Sequence, residues 1–254
     1  MKAIAFHLQK GGVGKTTLSV SVAWELANLG HRTVLIDCDP QGNSSSWLLE
    51  GNQEPEHELA DVLLGKVDPE AAAVCVEDQL YCIPTFGLTH TLRNYAKSGL
   101  ASEPFVIADM LEKLPFVYAV LDMAPGLGTI EQSALIATNE VVLTMTPEYF
   151  SLDGLETWAE GVKGIERGLR TKVHYDKLVV NALDLRIRQM RDVYAESLKA
   201  AREVYTINVD PVFRKAQEAH MPAQRMTGRD AMKPGVREEL TKLAKGLVDG
   251  TGRK

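Results

Sequence analysis

The sequence has few cysteines, no long apolar run and no low-complexity stretch, and each absence excludes a class of protein. Its 254 residues include three cysteines, Cys38, Cys75 and Cys82, without the paired spacing of a metal site or a disulfide framework. No run of about 18 apolar residues is present, which excludes a membrane-spanning helix. A glycine-rich loop starts by residue 11 and leaves no room for a signal peptide. We therefore expect a cytoplasmic protein in a reducing compartment.

The composition that remains is typical of a globular protein, with 45% hydrophobic and 24% charged residues. Neither an internal repeat nor a long linker interrupts the chain, so we expect residues 1–254 to form a single domain. The net charge of −6 conceals an asymmetry, because residues 1–159 carry a net −13 and residues 160–254 a net +7. This separation favours a charged face that meets a partner, with an idle dipolar surface as the alternative.

Short runs rich in valine and isoleucine alternate with segments of helical periodicity. The pattern predicts strands over 2–8, 32–38, 80–84, 117–123, 140–146, 177–182 and 204–208. It predicts helices over 15–29, 88–98, 103–114, 129–138, 151–169, 188–202 and 234–248. This alternation is typical of a three-layer α/β fold with a mostly parallel sheet, in which ligands bind at the carboxyl ends of the strands. We expect the first two strands to lie side by side. The pattern over residues 50–80 indicates no function.

A phosphate-binding loop follows the first strand and precedes the first helix. Its residues are Gln9, Lys10, Gly11, Gly12, Val13, Gly14, Lys15, Thr16 and Thr17. Glycines allow successive backbone N–H groups to surround a phosphate, and the helix N-terminus adds positive potential. Lys15 is positioned for the β- and γ-phosphates, and the Thr16 hydroxyl for Mg²⁺. The strand that ends in Asp122 resembles a Walker B strand, whose carboxylate orients Mg²⁺-bound water.

The loop departs from the common Walker A pattern, because Gln9 stands where the first glycine belongs and Lys10 follows it. In this form, QKGGVGKTT, it resembles the ParA/MinD superfamily of deviant Walker A ATPases, and the ParA (Soj) branch in particular. The segments DCDPQGN over 37–43 and DMAPGLG over 122–128 are similar to two further family motifs, with Ala124 in place of a proline. The resemblance runs from about residue 2 to about residue 225, and it implies a P-loop NTPase fold that binds ATP and Mg²⁺.

The resemblance also implies roles for individual residues. Lys10 reaches the nucleotide of the other subunit in an ATP-bound homodimer. Asp39 positions the attacking water, and Asp37 supports the Mg²⁺ shell. Asn181 contacts the adenine edge, although an asparagine that only forms a turn is the alternative, and Pro211 belongs to a segment that closes over the base.

A basic stripe is predicted on the helix over 188–202. With about 3.6 residues per turn, Arg188, Arg191, Lys199 and Arg202 share one face. Arg186 extends the stripe, and Arg214 and Lys215 follow in a later basic segment. The opposite face carries Ile187, Met190, Val193, Tyr194, Leu198, Ala201 and Val204, which we expect to pack on the core. Arginine suits phosphate recognition, and the absence of interleaved aromatic residues argues against stacking on single strands.

The family resemblance implies a partition ATPase. Its ATP-bound dimer binds nonspecific double-stranded DNA and is therefore nucleoid-associated, and hydrolysis stimulated by a ParB-like activator releases the DNA to move plasmid or chromosome cargo. A solvated helix face is the alternative interpretation of the basic stripe. No space precedes Lys2 for the helix-turn-helix domain of longer ParA proteins, so we do not expect operator-specific repression.

Three related classes remain to be weighed. A MinD-like or protein-cargo-positioning ATPase would act on a membrane or a protein surface. The helix over 236–248 is amphipathic, but its mixed charges favour packing on the core, and we expect no membrane partner. An iron–sulfur reductase would need cysteines after the switch segment, and none follows Cys82. A bacterial tyrosine kinase would end in a tyrosine cluster, whereas the last tyrosine is Tyr205.

Overall fold

An eight-stranded sheet forms the centre of the protein in a computed structural model that describes residues 1–51, 53–98, 103–148 and 151–249. The strands are β1 (Lys2–His7), β2 (Thr33–Asp37), β3 (Val74–Glu77), β4 (Leu80–Ile83), β5 (Tyr118–Asp122), β6 (Glu140–Met145), β7 (Lys177–Leu183) and β8 (Glu203–Asn208). They are ordered β3-β4-β2-β5-β1-β6-β7-β8, and β3 pairs antiparallel with β4 while the other pairs are parallel. The carboxyl ends of the seven parallel strands therefore meet at one edge.

Helices cover both faces of this sheet. They are α1 (Lys15–Asn28), α2 (Asn43–Leu49), α3 (Leu59–Leu63), α4 (Thr91–Ser98), α5 (Val106–Glu112), α6 (Thr129–Ala137), α7 (Ser151–Leu169), α8 (Arg188–Ser197), α9 (Val212–Glu218) and α10 (Pro234–Asp249). Buried residues of α1, α2, α9 and α10 pack in one core, and those of α3 to α8 pack in the other. Ala3 and Ala5 of β1 contribute to one core while Ile4 and Phe6 contribute to the other, which is why the strand sequence is continuously apolar. The three-layer α/β fold expected from the sequence is confirmed.

Two expectations about the sheet need correction. β1 and β2 are not neighbours, because β5 lies between them and pairs with both. The crossover through α1 passes over one strand position, and the carboxyl ends of all three strands still share an edge. The short strand β3 was also missed, since its residues are only partly buried and show no continuous apolar run. The short helices α2, α3 and α9 were likewise not predicted.

The helix predicted over 188–202 ends early, at Ser197. The buried Ser197 hydroxyl donates to the Tyr194 carbonyl, and the backbone N–H groups of Lys199 and Ala200 close turns. The chain turns there because β8 begins six residues later, at Glu203. Lys199 and Arg202 therefore lie outside the helix, and the single helical stripe is not formed as expected. The expected packing face was also wrong in part, because Ile187 and Leu198 are exposed.

The last helix packs on the core as expected. Its apolar residues Val236, Leu240, Leu243 and Leu247 are buried, in contact with α1 and β8. Its apolar face is thus covered by the rest of the chain. Within the described residues, no helix is both long enough and apolar enough to cross a membrane.

A buried lysine joins three strands at the opposite edge of the sheet from the phosphate loop. The Lys177 ammonium lies 3.5 Å from the Glu140 carboxylate and 3.3 Å from that of Glu203, which belong to β6 and β8. Its side chain is only 7% exposed. Because both charges of a buried ion pair are poorly solvated, removal of one partner leaves the other uncompensated.

We expect Lys177→Met to lower the free energy of unfolding by about 3 kcal/mol, since it strands the Glu140 carboxylate. Lys172→Met is the control, because Lys172 is 78% exposed in its ion pair with Glu166 and such pairs contribute about 0.2–1 kcal/mol. Urea denaturation monitored by circular dichroism measures both. Equal losses in the two variants would contradict the assignment, whereas partial recovery in Lys177→Met/Glu140→Gln would support it.

Candidate nucleotide-binding site

The loop between β1 and α1 forms one wall of a cleft at the carboxyl edge of the sheet. The cleft has a volume of about 500 Å³. Its lining residues are Gly11, Gly12, Gly14, Lys15, Thr16, Thr17, Asp39, Gln41, Asn43, Trp47, Met123, Pro125 and Gln217. The structure thus brings six residues of the predicted phosphate loop together with the predicted catalytic Asp39. Val13, between Gly12 and Gly14 in the loop, is buried.

Lys15 lies under the loop rather than in solvent. Its ammonium donates to the Lys10 carbonyl at 2.8 Å and lies 3.4 Å from the Leu8 carbonyl. Burial lowers the pKa of Lys15, opposed by the nearby carboxylates of Asp122 and Asp39. Because these carbonyls belong to the loop itself, the ammonium can exchange them for phosphate oxygens without moving far.

Gly14 allows β7 to support the loop. Its φ of 95° lies in the left-handed region, and a Cβ atom there would lie 2.1 Å from the Asn181 amide nitrogen. That amide donates to the Val13 carbonyl at 2.9 Å. Asn181 therefore holds the phosphate loop in the described structure, and its predicted contact with adenine stays a prediction. Pro211, also predicted near the base, is exposed at the start of α9.

Asp37 and Asp122 face each other as register partners at the ends of β2 and β5, and both are fully buried. Asp37 accepts the Ser45 hydroxyl at 2.6 Å and the Ser45 N–H at 2.9 Å. Asp122 accepts a hydrogen bond from the Thr16 hydroxyl. Burial raises the pKa of both carboxylates, reinforced at Asp122 by repulsion from Asp37 and at Asp37 by repulsion from Asp39. A positive charge at this edge would stabilise both in their ionised form.

These residues fit a magnesium ion. One carboxylate oxygen of Asp122, Oδ2, is buried and has no hydrogen-bond partner, so it is available to a ligand. The Thr16 hydroxyl and the carboxylate of Asp37 supply further oxygens of the kind that Mg²⁺ prefers. Within the described residues no group of three or more acidic, histidine or cysteine side chains forms a metal cage. Mg²⁺ keeps several water ligands and uses few protein ligands, so that result agrees with the fit.

Asp39 lies at the rim of the same cleft and is held by its own turn. Its N–H donates to Asp37 Oδ1 at 3.2 Å, and its Oδ1 accepts the Gln41 N–H at 2.9 Å. Through these bonds the turn places Asp39 beside the phosphate loop, and both line the cleft. Its role as the residue that positions water stays a prediction.

Lys10 is at the outer end of the loop. Its ammonium lies 2.5 Å from the carboxylate of Glu148, which belongs to the segment that follows β6. Both side chains are partly exposed, at 34% and 60%. Lys10 is therefore placed at the surface, where a second subunit could approach.

The predicted DNA-binding residues lie on the surface, and six of the seven face carboxylates of the same chain. The pairs are Arg186–Asp184, Arg188–Asp192, Lys199–Glu196, Arg202–Asp176, Arg214–Glu218 and Lys215–Asp230. Arg191 donates to the Leu185 carbonyl. Six of the seven basic side chains are thus held in ion pairs, which the spacing of basic residues alone could not indicate.

Several residues of the site were not predicted from the sequence. Ser45 and Thr85 hold the second strand at its end, because the Thr85 hydroxyl donates to the Asp37 carbonyl and its N–H to the Ser45 hydroxyl. Glu148 was missed as well, since no local motif marks it. The serine run after DPQGN at the start of α2 was a usable signal for Ser45. Thr85 and Glu148 come from distant parts of the chain, and no signal in the sequence marked them.

The raised pKa values of Asp37 and Asp122 predict how the stability of the protein depends on pH when nucleotide and metal are absent. Both groups bind protons more tightly when folded, with pKa values of about 6 for Asp37 and about 8 for Asp122. Their contribution is complete below the unfolded value of about 4 and is lost as the pH rises through the folded values. We expect the thermal midpoint to fall from about pH 5 to about pH 8, and Asp122→Asn to reduce that slope. The control is the exposed-site variant Asp153→Asn, and equal slopes in all three proteins would refute the interpretation.

Comparison with known proteins identifies the family. Residues 1–175 match the family model described as an AAA domain. The chromosome partitioning protein ParA of Caulobacter vibrioides is 30% identical over 197 residues, which span 73% of this chain and 71% of that protein. The chromosome-partitioning ATPase Soj of Treponema pallidum is 29% identical over 265 residues, covering 100% of this chain and 99% of that protein.

Among solved structures, a plasmid partition protein from Borrelia burgdorferi bound to AMPPNP aligns with a TM-score of 0.77. It is 20% identical, and the alignment covers 98% of this chain and 97% of that chain, which supports the fold. The sequence relatives, together with a P-loop whose second lysine and carboxylates share one edge, settle the classification: the chain belongs to the ParA/Soj-type partition ATPases.

Proposed function

We propose that the chain is a Mg²⁺-dependent ATPase that hydrolyses ATP to ADP and phosphate and uses the cycle to partition DNA. In the ATP state it forms a homodimer, and the dimer binds nonspecific double-stranded DNA on the nucleoid. Hydrolysis opens the dimer and releases the DNA. A ParB-like activator carried by the cargo stimulates that step.

One observation carries the ATPase proposal. The phosphate loop and Asp39 line one cleft, and the buried pair Asp37 and Asp122 lies at the ends of adjacent strands beside Asp39 and Lys15. Lys15 and the loop N–H groups stabilise the β- and γ-phosphates, and Asp39 orients water toward the γ-phosphate. Bound Mg²⁺ would supply charge neutralisation at the phosphates, held through Thr16, Asp37 and Asp122. The AMPPNP-bound relative supports a nucleoside triphosphate as the ligand.

Lys10 supports the proposed dimer. To contact the nucleotide of a second subunit, it must leave Glu148. An exposed ion pair contributes about 0.2–1 kcal/mol, whereas a charge-assisted bond to a phosphate contributes about 1.5–3 kcal/mol. The exchange is therefore favourable, and it occurs only when a triphosphate is present across the interface. Dimerisation is thereby coupled to ATP.

The DNA face is proposed from the basic C-terminal part of the chain and the named relatives. Arg186, Arg188 and Arg191 are exposed near the start of α8. To bind a phosphate, Arg186 and Arg188 must exchange a carboxylate of this chain for a DNA phosphate. A dimer doubles the number of such exchanges on one duplex, so the ATP state binds more tightly than the monomer.

The local ion pairs also favour a second candidate. If the basic residues stay paired, the same ATP-driven dimer would act on a protein surface, or on a membrane in the manner of MinD. The apolar face of α10 is buried, so a membrane version would need a different anchor.

We expect binding to nonspecific duplex DNA to require ATP and to weaken steeply with salt, because phosphate contacts release counterions. The protein is compared with ATP, with ADP and without nucleotide by fluorescence anisotropy across a salt series. Asp39→Ala holds the ATP state and should retain binding for longer. Arg188→Glu/Arg191→Glu should abolish binding, with Lys163→Glu/Lys172→Glu, at two exposed lysines, as the charge-matched control. Dimers that form with ATP but do not bind DNA would favour the second candidate.

We expect Lys10→Ala to weaken the ATP-dependent dimer by about ten- to a hundredfold, the loss of one charge-assisted bond. Affinity for a fluorescent ATP analogue should change little, because Lys15 and the loop remain. Sedimentation velocity with ATP measures the dimer. Lys163→Ala, which removes an exposed lysine of α7, is the control. An unchanged dimer in Lys10→Ala would contradict the role of Lys10 across the interface.

A further inference from the structure

A second cleft adjoins the nucleotide site at the end of β4. This side cleft has a volume of about 610 Å³. Its lining residues are Gln41, Gly42, Asn43, Ser45, Ser46, Leu49, Glu50, Gln53, Pro55, Pro84, Thr85, Phe86, Gly87, Leu88 and His90. Gln41 and Asn43 line both clefts. The volume lies within the range of about 300–1,000 Å³ that accommodates a ligand.

The wall of the side cleft is apolar and includes an unusually exposed leucine. Leu49, Pro84 and Phe86 form the wall, and the side chain of Leu88 is 97% exposed at the rim. Burial of one leucine contributes about 1.5–3 kcal/mol, so leaving Leu88 in water forgoes that stabilisation. Leu88 continues the apolar wall to the surface, and a contiguous apolar patch of this kind is typical of a binding surface.

The floor of the side cleft is built from the segments that hold the catalytic carboxylates. A Cβ atom on Gly42 would lie 2.4 Å from the Thr85 carbonyl, and one on Gly87 would lie 2.2 Å from the Gln41 carbonyl. The two backbones are therefore in direct contact. Thr85 binds Asp37 through its hydroxyl, and Gln41 binds Asp39 through its N–H. A ligand that presses on 85–88 thus acts on both aspartates through one layer of backbone.

The charge of the side cleft is negative. Glu50 lines it, and Glu54 and Glu56 are exposed on the neighbouring segment. Among the described residues, no lysine or arginine lines the cleft or forms a salt bridge with these three carboxylates. An apolar recess with an acidic rim complements a segment that carries both apolar and basic side chains.

We propose that the side cleft is the docking site for an extended apolar and basic segment of the protein that activates hydrolysis. The inference rests on the proposed function, because it assigns that activator a site. Apolar side chains of the segment fill the recess beside Leu88, and an arginine or lysine pairs with Glu50. Occupancy stiffens the contact between 85–88 and 41–42, which fixes Asp39 beside the phosphate loop. Docking and catalysis are thereby coupled without direct contact between the segment and the nucleotide.

The test uses a short fluorescein-labelled peptide of leucines and arginines separated by glycine and serine, and a matched peptide with glutamate in place of each arginine. Anisotropy titration of the ATP-loaded full chain measures binding, and phosphate release measures stimulation. We expect the basic peptide to bind and to accelerate hydrolysis. Leu88→Glu should weaken its binding by about tenfold or more, the cost of one lost leucine contact. Glu50→Lys should weaken it by about two- to fivefold, as for one exposed charge pair.

Two control variants separate effects on folding and on net charge from effects on peptide binding. Leu64→Glu changes a leucine that is 46% exposed at the end of α3, and Glu112→Lys reverses an exposed carboxylate of α5. Neither residue lines the side cleft. Both controls should bind the basic peptide as the wild type does, and all four variants should keep the basal rate of hydrolysis.

Three results would overturn the proposal. They are equal binding of the two peptides, unchanged binding of the basic peptide by Leu88→Glu, and no binding of the basic peptide up to about 1 mM. Failure of the proposed function is separate, because it would appear as absent basal hydrolysis or absent ATP-dependent DNA binding. Peptide anisotropy does not depend on either of those activities.

Discussion

Two carboxylates buried beside each other are the constraint on which the site depends. Asp37 and Asp122 end adjacent parallel strands in register, so the pairing of β2 with β5 forces them together. Such a pair repels itself unless protons or cations neutralise it. The hydrogen bonds from Ser45 and Thr16 reduce that cost, but Oδ2 of Asp122 is left without a partner. The arrangement is stable as a binding site for a cation, and less so as a permanent part of the core.

The surrounding elements follow from that edge. Lys15 lies near the carboxylates of Asp122 and Asp39, Asp39 donates its N–H to Asp37, and Asn181 of β7 holds the loop from the other side. Each is fixed by backbone as well as by side-chain contacts. The nucleotide cleft is therefore held by several elements at once, with the proposed dimer contact at Lys10 on its loop and the proposed docking site at Leu88 in the adjoining side cleft.

Much of this site could be predicted from the sequence, because its chemistry lies in short motifs that follow strands. Loop residues 9–17, Asp37, Asp39 and Asp122 belong to local patterns, and parallel strands bring their ends to one edge. The order of the strands in the sheet could not be predicted, since the sequence does not reveal how many strand positions the crossover through α1 passes. The early end of α8 was also hidden, because helical periodicity continues past Ser197 while the turn into β8 is a tertiary requirement. Thr85 and Glu148 meet the site through contacts that only the fold creates.

The ion pairs on the basic surface have a consequence for kinetics. A cation beside its own carboxylate forms a small dipole, whose field declines faster with distance than that of an isolated charge. The ion pairs of Arg186, Arg188 and Arg214 therefore add little to the long-range field of residues 160–254, which comes from the net charge of +7 that remains after pairing. Electrostatic steering accelerates encounter only when the field extends into solvent. The paired arginines would therefore act on a polyanion only at short range, where it competes with the carboxylates that hold them.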